Sequence, residues 1–225
     1  MKIKYLGHSA FMLETDSMKA LVDPFINGNP QANFDESDLR DITHIFVTHG
    51  HGDHIGDTVD IAKREGALVV CNFELGDYFT RKGLTVHTMH IGGRFDLGVC
   101  RVKMTIALHG SGISSVNGFI YGGTPCGFLI ETEGKKVYHA GDTGLTMDMK
   151  LLERESIDIA ILPIGGNYTM DAEDAAIATE FIKPKMVIPM HYDTFPPIKA
   201  DPIEFENRVK CADVKILKSG DVVEI

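Results

Sequence analysis

The sequence lacks any apolar run near the ~18 residues that a membrane-spanning helix needs. Its first residues, MKIKYLGHSAFMLET, alternate like a strand and contain no long apolar segment of the kind found in a secretory signal. These two absences predict a protein of the cytoplasm with no membrane segment.

Cysteine is also scarce. The four cysteines, Cys71, Cys100, Cys126 and Cys211, are scattered and include no C-x-x-C pair, which argues against a disulfide framework and suits a reducing compartment. Three of them lie in apolar runs, where a small buried thiol is the expected role.

The chain has no block of consecutive basic residues, and its formal net charge is -10. Binding along an extended nucleic-acid backbone requires many cationic phosphate contacts, so the charge argues against that function. A small anionic substrate stays compatible with the composition, because bound cations can dominate the local field whatever the overall charge.

No low-complexity linker and no internal repeat divides the 225 residues. We therefore expect one domain over residues 1–225, with two fused halves as the alternative. A chain of this length buries roughly 70% of the surface that its unfolded form exposes, so a bound metal is expected to be functional rather than structural.

Strand-like and helix-like segments interleave along the chain. Strand alternation occurs over 2–6 and Ala10–Glu14, helical spacing occurs over 55–65, and the last residues resemble a hairpin formed by 214–218 and 222–225. Interleaving of this kind predicts an α/β domain, in the form of an αββα layered structure.

The densest chemical signal lies directly after the short apolar strand HIFV. Residues two apart in an extended chain project to the same side, so His49 and His51 can share one position while Asp53 and His54 face a second. Imidazole nitrogens and carboxylate oxygens suit Zn²⁺, Mn²⁺, Fe²⁺, Co²⁺ or Ni²⁺. A single divalent site, or a metal-free loop of hydrogen-bonded histidines, is the alternative. The segment is His49-Gly50-His51-Gly52-Asp53-His54.

The pattern H-x-H-x-D-H after a strand resembles the signature of the metallo-β-lactamase superfamily. Three later landmarks of that family occur in order: a histidine in TIALHG (His109), an aspartate in AGDT (Asp142) and a histidine in VIPMH (His191). The resemblance covers nearly the whole chain and implies a four-layer αββα sandwich of the metallo-β-lactamase fold.

The resemblance also implies a dinuclear site that holds two divalent metal ions, with Zn, Mn or Ni as the candidates. A metal-bound hydroxide would then attack a small, anionic ester, lactone or phosphodiester. Asp53 is expected to be catalytic as well, orienting the hydroxide and accepting its proton. The implied ligands are His49, His51 and His109 for one metal, Asp53, His54 and His191 for the other, and Asp142 as the bridge.

The opening Y-L-G-H-S-A, followed by Asp23-Pro24, resembles one branch of the superfamily. This UPF0173-like branch of uncharacterised metal-dependent hydrolases is related to ascorbate-6-phosphate lactonase. The resemblance implies that His8 approaches the metals or the substrate as a catalytic residue, and that Asp23 orients a ligand histidine. A hydrogen-bonded histidine at a strand end and an Asp-Pro turn are the structural alternatives.

Residues 165–170, GGNYTM, follow an apolar strand and precede an acidic helix start. They are expected either to contact substrate or to form a turn that caps the helix. Four further histidines have no place in the implied ligand set and are expected to be structural or exposed, although His139 is close enough to Asp142 to support it. They are His44, His87, His90 and His139.

Some β-lactam-hydrolysing members of the family use a cysteine as a metal ligand at the position that Asp142 occupies here. The resemblance therefore argues against β-lactamase activity. An iron-dependent redox enzyme of the thiol dioxygenase type and a non-catalytic metal-binding protein are the alternative functions. Homo-oligomer formation stays open, because no segment indicates an interface.

Overall fold

A computed structural model describes residues 1–225 of the chain. Sixteen strands and five α-helices make up its regular structure, together with 3₁₀ helices at Glu36–Asp38, Met147–Glu155 and Pro196–Ile198. The strands are β1 (Lys2–Gly7), β2 (Ala10–Glu14), β3 (Lys19–Val22), β4 (His44–Phe46), β5 (Leu68–Asn72), β6 (Val86–Met89), β7 (Arg94–Asp96), β8 (Arg101–Ile106), β9 (Gly112–Ser115), β10 (Gly118–Tyr121), β11 (Cys126–Thr132), β12 (Lys135–His139), β13 (Ile159–Pro163), β14 (Met186–Met190), β15 (Asp213–Val214) and β16 (Val222–Glu224). The α-helices are α1 (Gly52–Ile55), α2 (Thr58–Glu65), α3 (Phe73–Arg81), α4 (Ala172–Ile182) and α5 (Pro202–Arg208).

The strands form two seven-stranded sheets and one separate hairpin. The first sheet has the order β16-β1-β2-β3-β4-β5-β6, the second has the order β15-β14-β13-β12-β11-β8-β7, and β9 pairs with β10. In each sheet an antiparallel half adjoins a parallel half, which runs through β3, β4, β5 and β6 in the first and β12, β13, β14 and β15 in the second.

The two sheets pack against each other through a shared apolar core. Phe11 and Phe46 of the first sheet and Phe128 and Ile188 of the second belong to the same cluster of 21 buried residues. Because successive side chains of a strand point to opposite faces, the other residues of these strands meet the helices instead. Leu21, for example, belongs to a second core cluster of 19 residues that includes residues of α2 and α3.

Helices α4 and α5 cover the second sheet, where a third cluster of 19 buried residues includes Ala175 and Phe205. The layer order is therefore helices, sheet, sheet, helices. This confirms the four-layer αββα sandwich predicted from the sequence.

The sequence-based prediction was wrong about the end of the chain. Strands β15 and β16 lie in different sheets and do not form a hairpin. The turn between them pairs with β1, where Tyr5 N donates to Asp221 O at 3.0 Å and Gly220 N donates to Tyr5 O at 2.8 Å. Local turn chemistry was recognised correctly, but the pairing partner is set by the edge of the first sheet.

The helix predicted over 55–65 is two helices separated at Gly56. This residue has a φ of 42° and ends α1, and α2 begins at Thr58. No helix of the structure has both the length and the apolar character needed to cross a membrane.

Candidate metal centre

The seven side chains proposed as metal ligands lie together at one edge of the sandwich. The parallel strands of both sheets end there, so residues that follow different strands become neighbours. Each of the seven follows β4, β8, β12 or β14 or lies in the short helix after β4, and all are buried or half-buried. They are His49, His51, Asp53, His54, His109, Asp142 and His191.

Asp142 lies at the centre of this cluster. Its Oδ2 is 2.9 Å from His191 Nε2 and 3.2 Å from His54 Nε2. The same oxygen is 3.6 Å from His109 Nε2 and 4.0 Å from His49 Nε2. One carboxylate oxygen therefore faces four imidazoles that come from three separate parts of the chain.

Three groups of side chains around Asp142 have donor atoms that, within each group, all lie within 4.8 Å of one another; one of them, Asp23, His49 and His54, shares its histidines with the other two. Those two follow the division implied by the family resemblance, except that the N-terminal histidine joins the second group. The first group is His49, His51 and His109, and the second is His8, Asp53, His54 and His191.

The first group presents neutral imidazoles. Burial holds the pKa of His49 well below its usual range, and burial also lowers the pKa of His51 and His109. His49 Nε2 lies 3.0 Å from His51 Nδ1. Neutral imidazoles with nitrogens this close have lone pairs available to a shared cation.

Asp23 orients one imidazole of each group, that of His54 directly and that of His49 through Thr48. Its Oδ2 accepts a hydrogen bond from His54 Nδ1 at 2.7 Å and another from Thr48 Oγ1 at 2.7 Å. Because the Thr48 hydroxyl already donates to Asp23, Thr48 Oγ1 accepts a hydrogen bond from His49 Nδ1, which lies 3.0 Å away. Both histidines therefore carry their ring proton on Nδ1, which leaves the Nε2 lone pairs directed at Asp142.

This arrangement is unfavourable without a positive charge between the groups. Burial by itself would lower the pKa of His54, but the carboxylates of Asp142 and Asp23 outweigh burial and raise it well above the usual range. The Asp142 pKa is held well below its usual range by His191 and His54, although burial opposes this effect. Without a cation, a proton on His54 supplies the charge.

Three buried polar atoms at the cluster make no hydrogen bond: His54 Nε2, Asp142 Oδ1 and His191 Nδ1. Unpaired buried donors and acceptors are costly, so they are rare unless an ion or water completes them. The donor set and these atoms fit one or more divalent cations of the kind that nitrogen and oxygen ligands prefer.

His8 lies beside the second group and is fully buried. Its Nε2 is 3.1 Å from Asp53 Oδ2 and its Nδ1 is 2.8 Å from Thr194 Oγ1. A carboxylate oxygen only accepts, so Nε2 carries the proton and donates to Asp53. Burial lowers the pKa of His8 to about 4, which keeps the ring neutral. His8 thus holds one oxygen of Asp53 in place.

The backbone at the cluster is unusual in two places. His8 has a φ of 58° and His191 a φ of 57°, both in the left-handed region that few non-glycine residues adopt. His191 N donates to His8 O at 2.9 Å, so each strained residue helps to hold the other. Strain of this kind concentrates at functional sites.

Gly50 is required by a close approach. A Cβ atom there would lie 2.9 Å from Ser111 O and 2.9 Å from Ile113 Cγ1, whereas Gly52 has open space around it. Gly50 N also donates to Ser111 Oγ at 3.0 Å. The first glycine of the motif therefore lets the loop pack against the segment that carries His109.

The other four histidines lie outside the cluster. His139 is buried, donates to Ser9 O at 3.0 Å, and accepts a hydrogen bond from Gly141 N at 3.2 Å. It supports the turn that carries Asp142. His44 contacts Thr43, His87 contacts Phe95 and His90 contacts Phe73.

Sequence reasoning missed several residues of the site. Thr48 links Asp23 to His49, and Gln31 accepts from His8 N at 2.8 Å and donates to Tyr192 O at 2.7 Å. Neither residue stands out in the sequence, because a threonine and a loop glutamine are ordinary polar residues. Only their position in space distinguishes them.

The chain is similar to known proteins over most or all of its length. The family model described as "Beta-lactamase superfamily domain" matches residues 2–191. A protein of Alkaliphilus metalliredigens, named UPF0173 metal-dependent hydrolase, is 55% identical over 225 residues and covers 99% of this chain and 99% of its own length. The chain belongs to this family of metal-dependent hydrolases.

Other relatives in the family are nearly as similar. A UPF0173 metal-dependent hydrolase of Carboxydothermus hydrogenoformans is 50% identical, with 99% of each chain covered. The metallo hydrolase Igni18 of Ignicoccus hospitalis, whose structure is solved, is 38% identical and superposes with a TM-score of 0.90 over 99% of this chain and 97% of that chain. The metallo-β-lactamase fold and the superfamily predicted from the sequence are thus confirmed.

Proposed function

We propose that this chain is a dinuclear hydrolase that acts on a small ester, lactone or phosphodiester. The observation that carries the proposal is the position of Asp142 Oδ2, which lies within 4.0 Å of Nε2 atoms from both donor groups. A carboxylate between two sets of nitrogen donors suits a bridge between two cations. Zn, Mn and Ni are the candidate metals.

In this proposal most of the residues are metal ligands, and Asp53 is also a proton acceptor. Divalent cations, when bound, lower the pKa of coordinated water toward 7 and polarise the bond under attack. His49, His51 and His109 would hold one ion, Asp53, His54 and His191 the other, and Asp142 both.

Asp53 has a second role in this proposal. His8 Nε2 donates to Asp53 Oδ2, the carboxylate oxygen that lies 3.9 Å from His191 Nε2 and 4.0 Å from His54 Nε2, and so holds this oxygen beside the second group. Burial alone would raise the Asp53 pKa, but the hydrogen bond from His8 and the charge of the nearby His54 imidazole hold it below its usual range. The carboxylate is therefore ionised at neutral pH. An ionised carboxylate at this position can orient a nucleophilic water and take its proton.

The charge balance favours a reacting group that is anionic or strongly polarised. Two divalent cations against two aspartates leave a positive site, which attracts negative charge at the bond to be broken.

We also propose that residues 1–225 act as one domain in the cytoplasm. The proposed donors follow strands of both sheets and extend from His49 to His191 along the chain, so neither sheet has a complete site by itself. All four cysteines are free, which suits a reducing compartment. A single cooperative unfolding transition is the expected result for one domain.

The test measures metal content and turnover together. The purified protein is analysed by elemental mass spectrometry and assayed on lactones, esters and phosphodiesters, beside Asp142→Asn and His109→Gln. Both variants are expected to lose metal and at least the ~100-fold in activity that outer partners of a metal site cost. His90→Gln is the matched control, because its ring stacks on Phe73 outside the cluster.

About two equivalents of metal in the wild type and in the control, with turnover lost in the two variants, would support the proposal. Near-zero metal after reconstitution would overturn the ligand assignment. Full metal without turnover would favour the non-catalytic alternative, and bound iron with oxygen consumption on a persulfide would favour the redox enzyme.

A further inference from the structure

A cavity of about 250 Å³ opens over the candidate metal centre, and its walls differ in chemistry from its floor. Five of the proposed donors form the floor, while Tyr168, Phe195 and Ile198 complete the lining. No lysine or arginine lines this cavity. Charge is therefore confined to the floor, and the walls present aromatic and aliphatic carbon.

Phe195 forms a preorganised wall. Its ring centroid lies 5.6 Å from that of His8 in an edge-on arrangement and 6.4 Å from that of Phe25. The following Pro196-Pro197 restricts the backbone, since proline fixes φ. Phe195 is 37% exposed, so part of the ring faces the opening. A wall already held in place binds an apolar group without a large ordering cost.

Tyr168 stands on the loop of residues 165–170, which is tethered to the metal centre. Met170 N donates to Thr143 O at 2.9 Å, next to Asp142. At the start of the loop a Cβ atom on Gly165 would lie 2.2 Å from His191 O, so only glycine permits this approach. Asp171 then caps α4. The loop thus places Tyr168 at the cavity and leads into a helix, and its contact with substrate stays a prediction.

Lys199, which shares a cavity with Phe195, does not line the cavity over the donors. The cavity beside the 165–170 loop is lined by four carboxylates, those of Asp171, Glu173, Asp201 and Glu204, as well as by Lys199 and Arg208. A phosphate on the remote part of a substrate would find no partner in the walls and acidic groups nearby, whereas such groups are usually held by arginine, lysine or backbone amides.

We propose that the substrate carries an uncharged, apolar substituent next to the reacting group, and that Phe195 and Tyr168 hold this substituent and determine specificity. The inference rests on the proposed hydrolase function and deepens it. The negative charge of the substrate belongs at the reacting group, over the metals, and the rest of the molecule is apolar.

The test uses substrates that share one reacting bond. The metal-loaded wild type is assayed on γ-butyrolactone, on the same lactone with a butyl side chain, and on one with a phosphorylated side chain. Matched esters and phosphodiesters are assayed in parallel. The butyl compound is expected to have at least about tenfold higher kcat/KM than the unsubstituted one, because apolar groups in a fitted pocket give discrimination of this size. The phosphorylated compound is expected to be the poorest.

Two variants locate the effect. In Phe195→Ala and Tyr168→Ala the ratio of kcat/KM between butyl and unsubstituted lactones is expected to fall toward one, mainly through KM. Lys199→Ala is the control and should leave the ratio unchanged. Preference for the phosphorylated compound, with that preference lost in Lys199→Ala, would overturn the inference while the hydrolase function stands.

Calorimetry separates failure of the inference from failure of the proposed function. Hexanoate and phosphoglycolate are titrated into wild type and Phe195→Ala, so no turnover is required. Tighter binding of hexanoate that is weakened in Phe195→Ala supports the apolar wall even if every lactone, ester and phosphodiester is inert. Tighter phosphoglycolate binding, or hexanoate binding unaffected by the substitution, would contradict it.

Discussion

His8 shows how a single residue can act without being in the metal-ligand motif. Its Nε2 donates a hydrogen bond to Asp53, and its Nδ1 lies 2.8 Å from the Thr194 hydroxyl. The ring also packs against that of His191, with centroids 4.2 Å apart. A side chain with every contact satisfied holds Asp53 in one rotamer. It therefore acts in our proposal as a positioning residue for the catalytic carboxylate.

We expect His8→Ala to lower kcat by about 10- to 100-fold, the usual effect of losing an outer hydrogen-bond partner at a metal site. His8→Gln, whose amide can still donate to Asp53, should recover part of that loss. Steady-state kinetics with metal content measured on the same samples checks this. Equal activities for Ala and Gln would indicate that the hydrogen bond to Asp53 is unimportant.

A second residue-scale prediction concerns His139, which is buried and neutral. Burial lowers its pKa in the folded chain, whereas in the unfolded chain the imidazole titrates near 6.5. Below pH 6.5 the unfolded state takes up a proton that the folded state does not, so stability falls as the pH drops. His139→Asn should reduce the slope of unfolding free energy against pH by up to about 1.4 kcal/mol per unit.

Urea unfolding at several values between pH 7 and pH 4.5 measures this slope for the wild type and the variant. The histidines of the cluster contribute equally to the pH dependence of both proteins, so their effect cancels in the difference between the two slopes. Parallel curves for the two would show that His139 takes up its proton in the folded state as readily as in the unfolded one.

Among the secondary-structure elements, the break between α1 and α2 fixes the position of two proposed ligands. Helix α1 contains Asp53 and His54, and Gly56 ends it with a φ of 42°. A Cβ atom at Gly56 would lie 2.3 Å from Pro24 O and 2.6 Å from Phe25 Cα. The short helix is thereby held against the segment that follows Asp23, the partner of His54.

Gly56→Ala should therefore destabilise the protein by more than ~2 kcal/mol, because both the backbone conformation and the contact with Pro24 must change. Gly66→Ala is the matched control: Gly66 also ends a helix with a positive φ, 69°, but a Cβ atom added there would have no neighbour within 4 Å. Its cost should be nearer ~1 kcal/mol. Equal unfolding free energies for the two variants would contradict the role of the close approach.

For the whole molecule, the candidate metal centre joins the two sheets. Asp23 and His49 follow strands of the first sheet, and Asp142 and His191 follow strands of the second. The cluster brings buried carboxylates and unpaired nitrogens from both sides to one place, so its stability depends on what neutralises them.

Removal of metal is accordingly expected to lower Tm. A ligand at 100 times its Kd contributes about 2.7 kcal/mol to stability, which corresponds to roughly 5–10 °C for a chain of this size. Thermal unfolding with and without chelator measures the shift, and Asp142→Asn should show a smaller one. An unchanged Tm after verified metal removal would mean that the cluster is stable without a cation.

The sequence by itself predicted the layer pattern, and its densest motif indicated a set of candidate donors. Strand alternation and helical spacing depend on which side of an element faces the core, and the motif H-x-H-x-D-H places several ligand atoms next to one another in the chain. Such local regularities are visible without coordinates. His109, Asp142 and His191 were predicted differently, from the resemblance to the metallo-β-lactamase superfamily, whose later landmarks these residues fit in order.

Only the tertiary structure decided the rest. The C-terminal turn pairs with β1 instead of forming a hairpin, Thr48 relays the orientation of His49, and Phe195 and Tyr168 form the walls of the cavity. Each of these depends on contacts between residues far apart in the chain, and each residue involved is chemically ordinary on its own. Sheet edges, hydrogen-bond partners and cavity walls exist only once distant strands have packed, so the sequence could single out the 165–170 loop but not the cavity that Tyr168 lines together with Phe195.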